Sequence, residues 1–172
     1  MQIAQIRKAT VEDAYGIALA HVRSWQVAYR GYMPDEFLDG LDVEKRANMW
    51  RELTQEPDKI ILVAEDREQN IVGLSLLSPS RDADAIPNTA EVAAIYVHPD
   101  KWKKGIGGAL LSALLEEGRK CKFDQVTLEG NQRARSFYES FGFIEDGTTK
   151  DDNRWKSFVV REVRYRLNLQ VA

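Results

Sequence analysis

Residues Ile95 to Leu111 read I-Y-V-H-P-D-K-W-K-K-G-I-G-G-A-L-L, and no other stretch restricts the fold as much. The β-branched and aromatic run Val92 to Val97 predicts a strand that stops at Pro99, which cannot donate to a ladder. Lys103, Lys104, Gly105, Ile106, Gly107 and Gly108 follow, and then an apolar helix through Ala109, Leu110, Leu111, Leu114 and Leu115. A strand, a glycine-rich turn and a helix N-terminus bring several backbone N–H groups to one point, where the helix dipole favours negative charge. Glycines let an anion approach that backbone without a Cβ in the way. The turn is therefore expected to hold a phosphate or pyrophosphate, with Lys103 and Lys104 adding positive charge.

Two common phosphate binders fail on specific residues. A P-loop NTPase needs Lys-Ser or Lys-Thr after its last glycine, for the β/γ-phosphates and Mg²⁺. Here Gly108 is followed by Ala109 and Leu110. A dinucleotide fold needs G-x-G-x-x-G, and Leu110 stands where the third glycine belongs.

The turn resembles motif A of the GNAT superfamily, the N-acetyltransferases that use acetyl-CoA. That motif, Q/R-x-x-G-x-G/A, places its glycines on Gly105 and Gly107, and Ile95-Tyr96-Val97-His98-Pro99 matches the family's preceding strand. Its first position falls on Trp102 rather than Gln or Arg. A second segment, Asn131 to Phe143, is similar to the family's N-x-x-A-x-x-F-Y-x-x-x-G-F. The two motifs, in order, carry the resemblance over roughly residues 60 to 145. It implies an α/β (α+β) single-domain fold over residues 1–172. A central mixed, mostly antiparallel sheet of about seven strands would be flanked by helices on both faces.

At 172 residues the chain is long enough for one domain with its own core. A net charge of −3 speaks against a sequence-independent grip on nucleic acid. Cys121 is the single cysteine and cannot close an intrachain disulfide, which favours a reducing compartment. The first ten residues lack an apolar signal core and no run approaches membrane-spanning length, so a cytoplasmic protein without a membrane partner is expected.

Along the chain, Gln2 to Ala9 reads as a first strand. Thr10 with Asp13 makes a near capping box before a helix carrying Ala14, Ile17, Ala18, His21, Val22, Trp25 and Tyr29. Pro34 starts a second helix, and Val43 to Leu53 reads as a third. Ile60 to Glu65 and Ile71 to Leu77 suggest a hairpin around Gln69-Asn70, and Ser78 to Thr89 a loop. Strand, helix, strand and helix follow from Glu91 to Phe141. The tail alternates, so that Val159, Arg161, Val163, Tyr165 and Leu167 share one strand face. As a long alternating strand, the tail is expected to offer an edge to a second copy, making a homodimer.

The implied reaction is attack of a neutral amine on the acetyl thioester in a ternary complex. An amine with pKa near ~10.4 is only about one part in ~2,500 neutral at pH 7, equivalent to roughly 4.6 kcal/mol, so the site must remove a proton or depress that pKa. Resemblance places Tyr138 on the family's Phe-Tyr tyrosine, the general acid for the leaving thiolate; a core aromatic is the alternative. Glu91 is the matching base, with an inert edge carboxylate as its alternative. Ile95, Tyr96 and Val97 would pair their backbone with the pantetheine arm. The amides of Lys103 to Ala109 would cradle the pyrophosphate. Asn131 would bond the pantetheine or phosphate region, and Arg135 would lie near the adenosine end or else be a solvated helix charge. His98 reads as a turn residue or one near the cofactor's phosphates, and His21 as a satisfied, half-buried histidine. No cluster has metal-ligand spacing, so no metal is expected.

Trp25 and Tyr29, one helical turn apart, are candidates for the acceptor wall. Ser24 to Gly31 and Pro34 to Leu41 resemble bacterial spermidine/spermine-type members, and Asp35, Glu36, Asp39, Asp82 and Asp84 would suit a polycation if they lined one cleft. A small primary amine, polyamines foremost, is the expected acceptor. Two further readings stay open: an acyl-CoA-binding sensor without turnover, and a nucleotide-binding regulator using the same turn.

Overall fold

A computed structural model describes residues 5–130, 132–152 and 159–170. Its strands are β1 (Gln5–Lys8), β2 (Ile60–Glu65), β3 (Ile71–Pro79), β4 (Thr89–Val97), β5 (Gln125–Gly130), β6 (Ile144–Asp152) and β7 (Val160–Asn168). Its helices are α1 (Ala14–Ala28), α2 (Asp35–Asp39), α3 (Val43–Leu53), α4 (Ile106–Lys120) and α5 (Arg135–Ser140). The strands form a seven-stranded sheet in the order β1-β2-β3-β4-β5-β7-β6. Pairing is antiparallel for β1 with β2, β2 with β3, β5 with β7 and β6 with β7, and parallel for β4 with β5. The mixed, mostly antiparallel sheet expected from the sequence is present.

Contacts gather into two compact units, residues 1–77 with 94–117, and residues 78–93 with 118–172. In the first, a local cap sets the start of the helical layer. The Thr10 amide donates to Asp13 Oδ2 at 2.8 Å, and Arg7 clamps both oxygens of Asp13 at 2.7 and 2.8 Å. Hydrogen bonding from Arg7 holds the Asp13 carboxyl below the usual carboxylate range. A 3₁₀ turn over Val11–Asp13 then leads into α1. Ala14, Ile17, Ala18 and Ala20 of α1 join Ala47 and Trp50 of α3 over Ile61, Val63, Leu74 and Leu76 of the sheet. Gly73 points to the opposite face, where α4 comes so close that a Cβ there would stand 3.0 Å from Leu110 Cδ1 and 3.4 Å from Ile106 Cγ2. Helices thus cover both faces of β3, as its period-2 alternation requires.

In the second unit, β4 opens at Thr89, two residues before Glu91, because the Ser80 amide donates to the Thr89 carbonyl at 2.9 Å and continues the β3 hairpin. The connecting loop is shorter than the sequence suggests for the same reason. β7 begins at Val160 and lies between β5 and β6. The expectation that the tail is a free edge is therefore incorrect: β1 and β6 are the outer strands, and both sides of β7 are already paired. The face opposite Val163 and Tyr165 carries Arg164, which is only 4% exposed. It donates to Asp82, Asp84 and Asp146 at 2.6–3.1 Å and to Thr148 Oγ1 at 3.1 Å.

Candidate active site

The phosphate turn forms where β4 runs out. Pro99–Lys101 makes a 3₁₀ turn, with His98 Nδ1 accepting from the Asp100 amide at 3.4 Å and the Trp102 amide donating to the Pro99 carbonyl at 3.1 Å. His98 is thus the turn residue expected of it. Lys103 (φ +59°) and Gly105 (φ +78°) both take the left-handed conformation, which redirects the chain into α4 at Ile106. Ile106 is buried against the Gly73 side of β3 and anchors that helix start. Among the described residues, no carbonyl accepts from the amides of Lys103, Lys104, Gly105, Ile106, Gly107 or Gly108. Donors of this kind at a helix N-terminus suit an anion.

One expected contributor is corrected. The Ala109 amide donates to the Gly105 carbonyl at 3.0 Å, the first intrahelical bond, and so closes the cradle instead of lining it. The Val97 carbonyl accepts from Trp102 Nε1 at 2.7 Å. Trp102, the departure from the family motif, is therefore a strut between the turn and the end of β4. Lys104 Nζ turns back to the Asp100 carbonyl at 3.0 Å, whereas the Lys103 side chain is exposed. Registered pairs between β4 and β5 run from Thr89↔Gln125 to Val92↔Leu128. Ile95 and Tyr96 lie beyond them, half-buried.

Tyr138 and Glu91 both belong to the second compact unit. Tyr138 is 7% exposed on α5, among Phe137, Phe143 and Tyr165. Its ring lies so near β5 that a Cβ on Gly130 would stand 2.7 Å from Tyr138 Cε2. The ring is thus the core aromatic that the sequence offered as one alternative, and the catalytic alternative concerns its hydroxyl. Glu91 is 9% exposed, and its Oε1 accepts from Arg81 Nε and from Ser78 Oγ at 3.5 Å. Oε2 accepts no bond among the described residues. Arg81, outside both motifs, escaped the sequence reading because its loop position has no periodicity.

Arg135 pairs with Glu139 at 2.7 Å and Glu145 at 3.6 Å, so its charge is already matched on the α5 surface. Asn131 lies outside the described residues.

In the first unit, Trp25 and Tyr29 meet with ring centroids 5.0 Å apart, and Trp25 lies 6.3 Å from Tyr96 of β4. The proposed acceptor wall thus touches the strand expected to carry the pantetheine arm. His21, expected to be half-buried and satisfied, is fully buried and satisfied at only one nitrogen: Trp50 Nε1 donates to Nδ1 at 3.2 Å, while Nε2 has no partner among the described residues. Of the acidic residues suggested for a polycation, Asp35 and Asp39 pair with Arg30, and Asp82 and Asp84 with Arg164, while Glu36 is exposed.

Residues 22–143 match the model of the acetyltransferase (GNAT) family. The uncharacterized N-acetyltransferase YuaI of Bacillus subtilis is 29% identical over 140 residues, which cover 79% of this chain and 78% of that one. The L-amino acid N-acyltransferase MnaT of Escherichia coli is 32% identical over 57% of this chain and 65% of its own. Among solved structures, a PaiA N-acetyltransferase from Thermoplasma acidophilum in complex with coenzyme A superposes with a TM-score of 0.74 at 23% identity, covering 98% of this chain and 99% of that one. The chain belongs to the GNAT acetyltransferase family, whose members are acetyl-CoA-dependent N-acetyltransferases.

Proposed function

We propose that this protein transfers the acetyl group of acetyl-CoA to the primary amine of a small molecule by direct attack. The amides of Lys103 to Gly108 carry this reading, because they suit a diphosphate and no backbone carbonyl of the described residues accepts from them. The amine nitrogen adds to the thioester carbonyl carbon, the C–S bond breaks, and the sulfur leaves as a thiolate. Tyr138 gives its phenolic proton to that sulfur. Glu91 takes the ammonium proton through water at its free Oε2, with Arg81 and Ser78 fixing the carboxylate from the other oxygen. Ile95 and Tyr96 offer backbone to the pantetheine arm, and Trp25 and Tyr29 wall the acceptor.

The resemblance to spermidine/spermine-type members puts polyamines among the acceptors. The similarity to a protein named as an L-amino acid N-acyltransferase supports amino acids as acceptors too. Pairing of Asp35, Asp39, Asp82 and Asp84 with Arg30 and Arg164 weakens the case for a polycation, because part of their charge is already offset. Thiol release from acetyl-CoA over a panel of spermidine, amino alcohols, amino acids and a lysine peptide tests the reading. Release with at least one amine is expected. No release with any of them, despite tight coenzyme A binding, would make the protein a sensor instead.

A further inference from the structure

His21 is a buried titratable side chain that the transfer chemistry does not use. Trp50 Nε1 donates to its Nδ1 at 3.2 Å. An indole nitrogen can only donate, so Nδ1 presents its lone pair and the ring proton resides on Nε2. The ring is also neutral, because burial, reinforced by the charge of Arg46, lowers its pKa to about 3. Nε2–H is therefore a fixed, uncharged donor, and it is buried with no acceptor among the described residues. An orphaned donor of this kind is destabilising and calls for a partner.

The setting of that donor points to the partner. Tyr96 stacks flat on the His21 ring, with centroids 4.4 Å apart and planes 9° from parallel. Trp25 and Trp50 meet it edge-on at 5.5 and 5.8 Å. Trp25 and Tyr29 are the proposed acceptor wall, and Tyr96 belongs to the stretch of β4 proposed for the pantetheine arm. All five residues belong to the first compact unit. A hydrogen-bond donor among aromatic rings, beside the proposed acceptor wall, selects for an oxygen acceptor on the ligand.

We propose that the His21 Nε2–H reads an oxygen of the acceptor, so that the enzyme selects amines bearing a carboxylate, carbonyl or hydroxyl oxygen. This rests on the acyl-transfer reading and narrows its substrate class. A protonated polyamine presents only N–H donors and leaves His21 unpaired. An amino acid or amino alcohol supplies the missing lone pair, and a neutral imidazole does so without repelling the nearby ammonium.

The test compares an L-amino acid, its amino alcohol and the alkylamine of the same skeleton as acceptors for wild type, His21→Asn and His21→Gln. The asparagine amide reaches the Nδ1 position and still serves Trp50 but has nothing at Nε2; glutamine restores an N–H there. Wild type is expected to favour the oxygen-bearing amines about 10-fold or more in kcat/KM. His21→Asn should bring that ratio close to one with the KM for acetyl-CoA unchanged, and His21→Gln should recover part of it. A ratio of one in wild type, or an unchanged ratio in His21→Asn, overturns the proposal. A second readout needs neither turnover nor a variant that folds. The chain has two histidines, so the ¹⁵N–¹H signal of His21 Nε2 is readily assigned in the wild-type protein with coenzyme A. It should move downfield when the amino acid is added and stay in place with the alkylamine; no movement at saturating amino acid also overturns the proposal. Movement without acetylation of any amine would retain the His21 donor and dismiss acyl transfer.

Discussion

Removing the Tyr138 hydroxyl while keeping its ring isolates the chemical role of that residue from its structural one. The ring is wedged between Gly130 and the aromatic cluster of Phe137, Phe143 and Tyr165, so phenylalanine fills the same space. Tyr138→Phe is expected to lower kcat about 100-fold, the usual scale of a general acid, with the Kd for coenzyme A close to that of wild type. Wild-type turnover in this variant removes the assignment. His21 supplies a different signature. Its folded pKa lies below that of the unfolded chain, so only the unfolded state binds a proton between about pH 6.5 and 3. The sign follows: stability is full above pH 6.5 and declines as pH falls through that window. Denaturant unfolding should show wild type losing about 2 kcal/mol more than His21→Asn between pH 7.5 and 5. Equal losses would mean that the ring is protonated in the native state. Tyr138 and the glycines were legible in the sequence because their spacing is local. The orphaned nitrogen of His21 was not, since Trp50, which bonds the ring's other nitrogen and so fixes its tautomer, lies 29 positions away on another helix.

At the level of elements, the turn between β4 and α4 depends on a glycine for its backbone and not for space. A Cβ at Gly105 would meet nothing within 4 Å, yet φ there is +78°. Gly105→Ala therefore costs about 1–2 kcal/mol of left-handed strain. The turn can shed that strain only by rotating its amides. The KM for acetyl-CoA should rise about 10-fold, more than kcat falls; a variant that loses stability but keeps the wild-type KM would show that the amides do not converge on the diphosphate. The β7 strand carries the opposite kind of constraint. Arg164 is buried and holds Asp82 and Asp84 of the β3–β4 loop together with Asp146 of β6. It keeps the Asp84 carboxyl down at about 2, chiefly by hydrogen bonding, so that pairing supports the fold above the usual carboxylate range and is lost as pH falls toward 2. Arg164→Met should destabilise by about 3 kcal/mol, because two carboxylates are left buried without their guanidinium. It should also move acid unfolding to higher pH, and a urea midpoint within error of wild type would refute this account. The alternation of the tail was readable. The burial of an arginine on its second face was not, because a period of two assigns faces without saying what covers them.

For the molecule as a whole, the sheet order β1-β2-β3-β4-β5-β7-β6 is a set of long-range pairings that no local pattern encodes. Strand existence could be read from residues, but the position of β7 inside the sheet came only with the structure, and it reversed the expectation of a free C-terminal edge. What the whole chain does with ligand is set by mass action. A molecule that binds the native state alone stabilises it by about 2.7 kcal/mol at 100 times its Kd. For a chain of this size that is roughly 5–10 °C in Tm. Acetyl-CoA should therefore raise Tm by that amount at saturation. ATP and GTP should raise it far less, since the turn has no lysine-hydroxyl pair after Gly108 to hold a γ-phosphate and Mg²⁺. Desulfo-coenzyme A should protect nearly as well as acetyl-CoA, because the grip is on the diphosphate and pantetheine and not on the sulfur. Protection by ATP equal to that by acetyl-CoA would instead assign the six amides to a nucleotide regulator, and with it the aromatic wall of α1 would lose its acceptor.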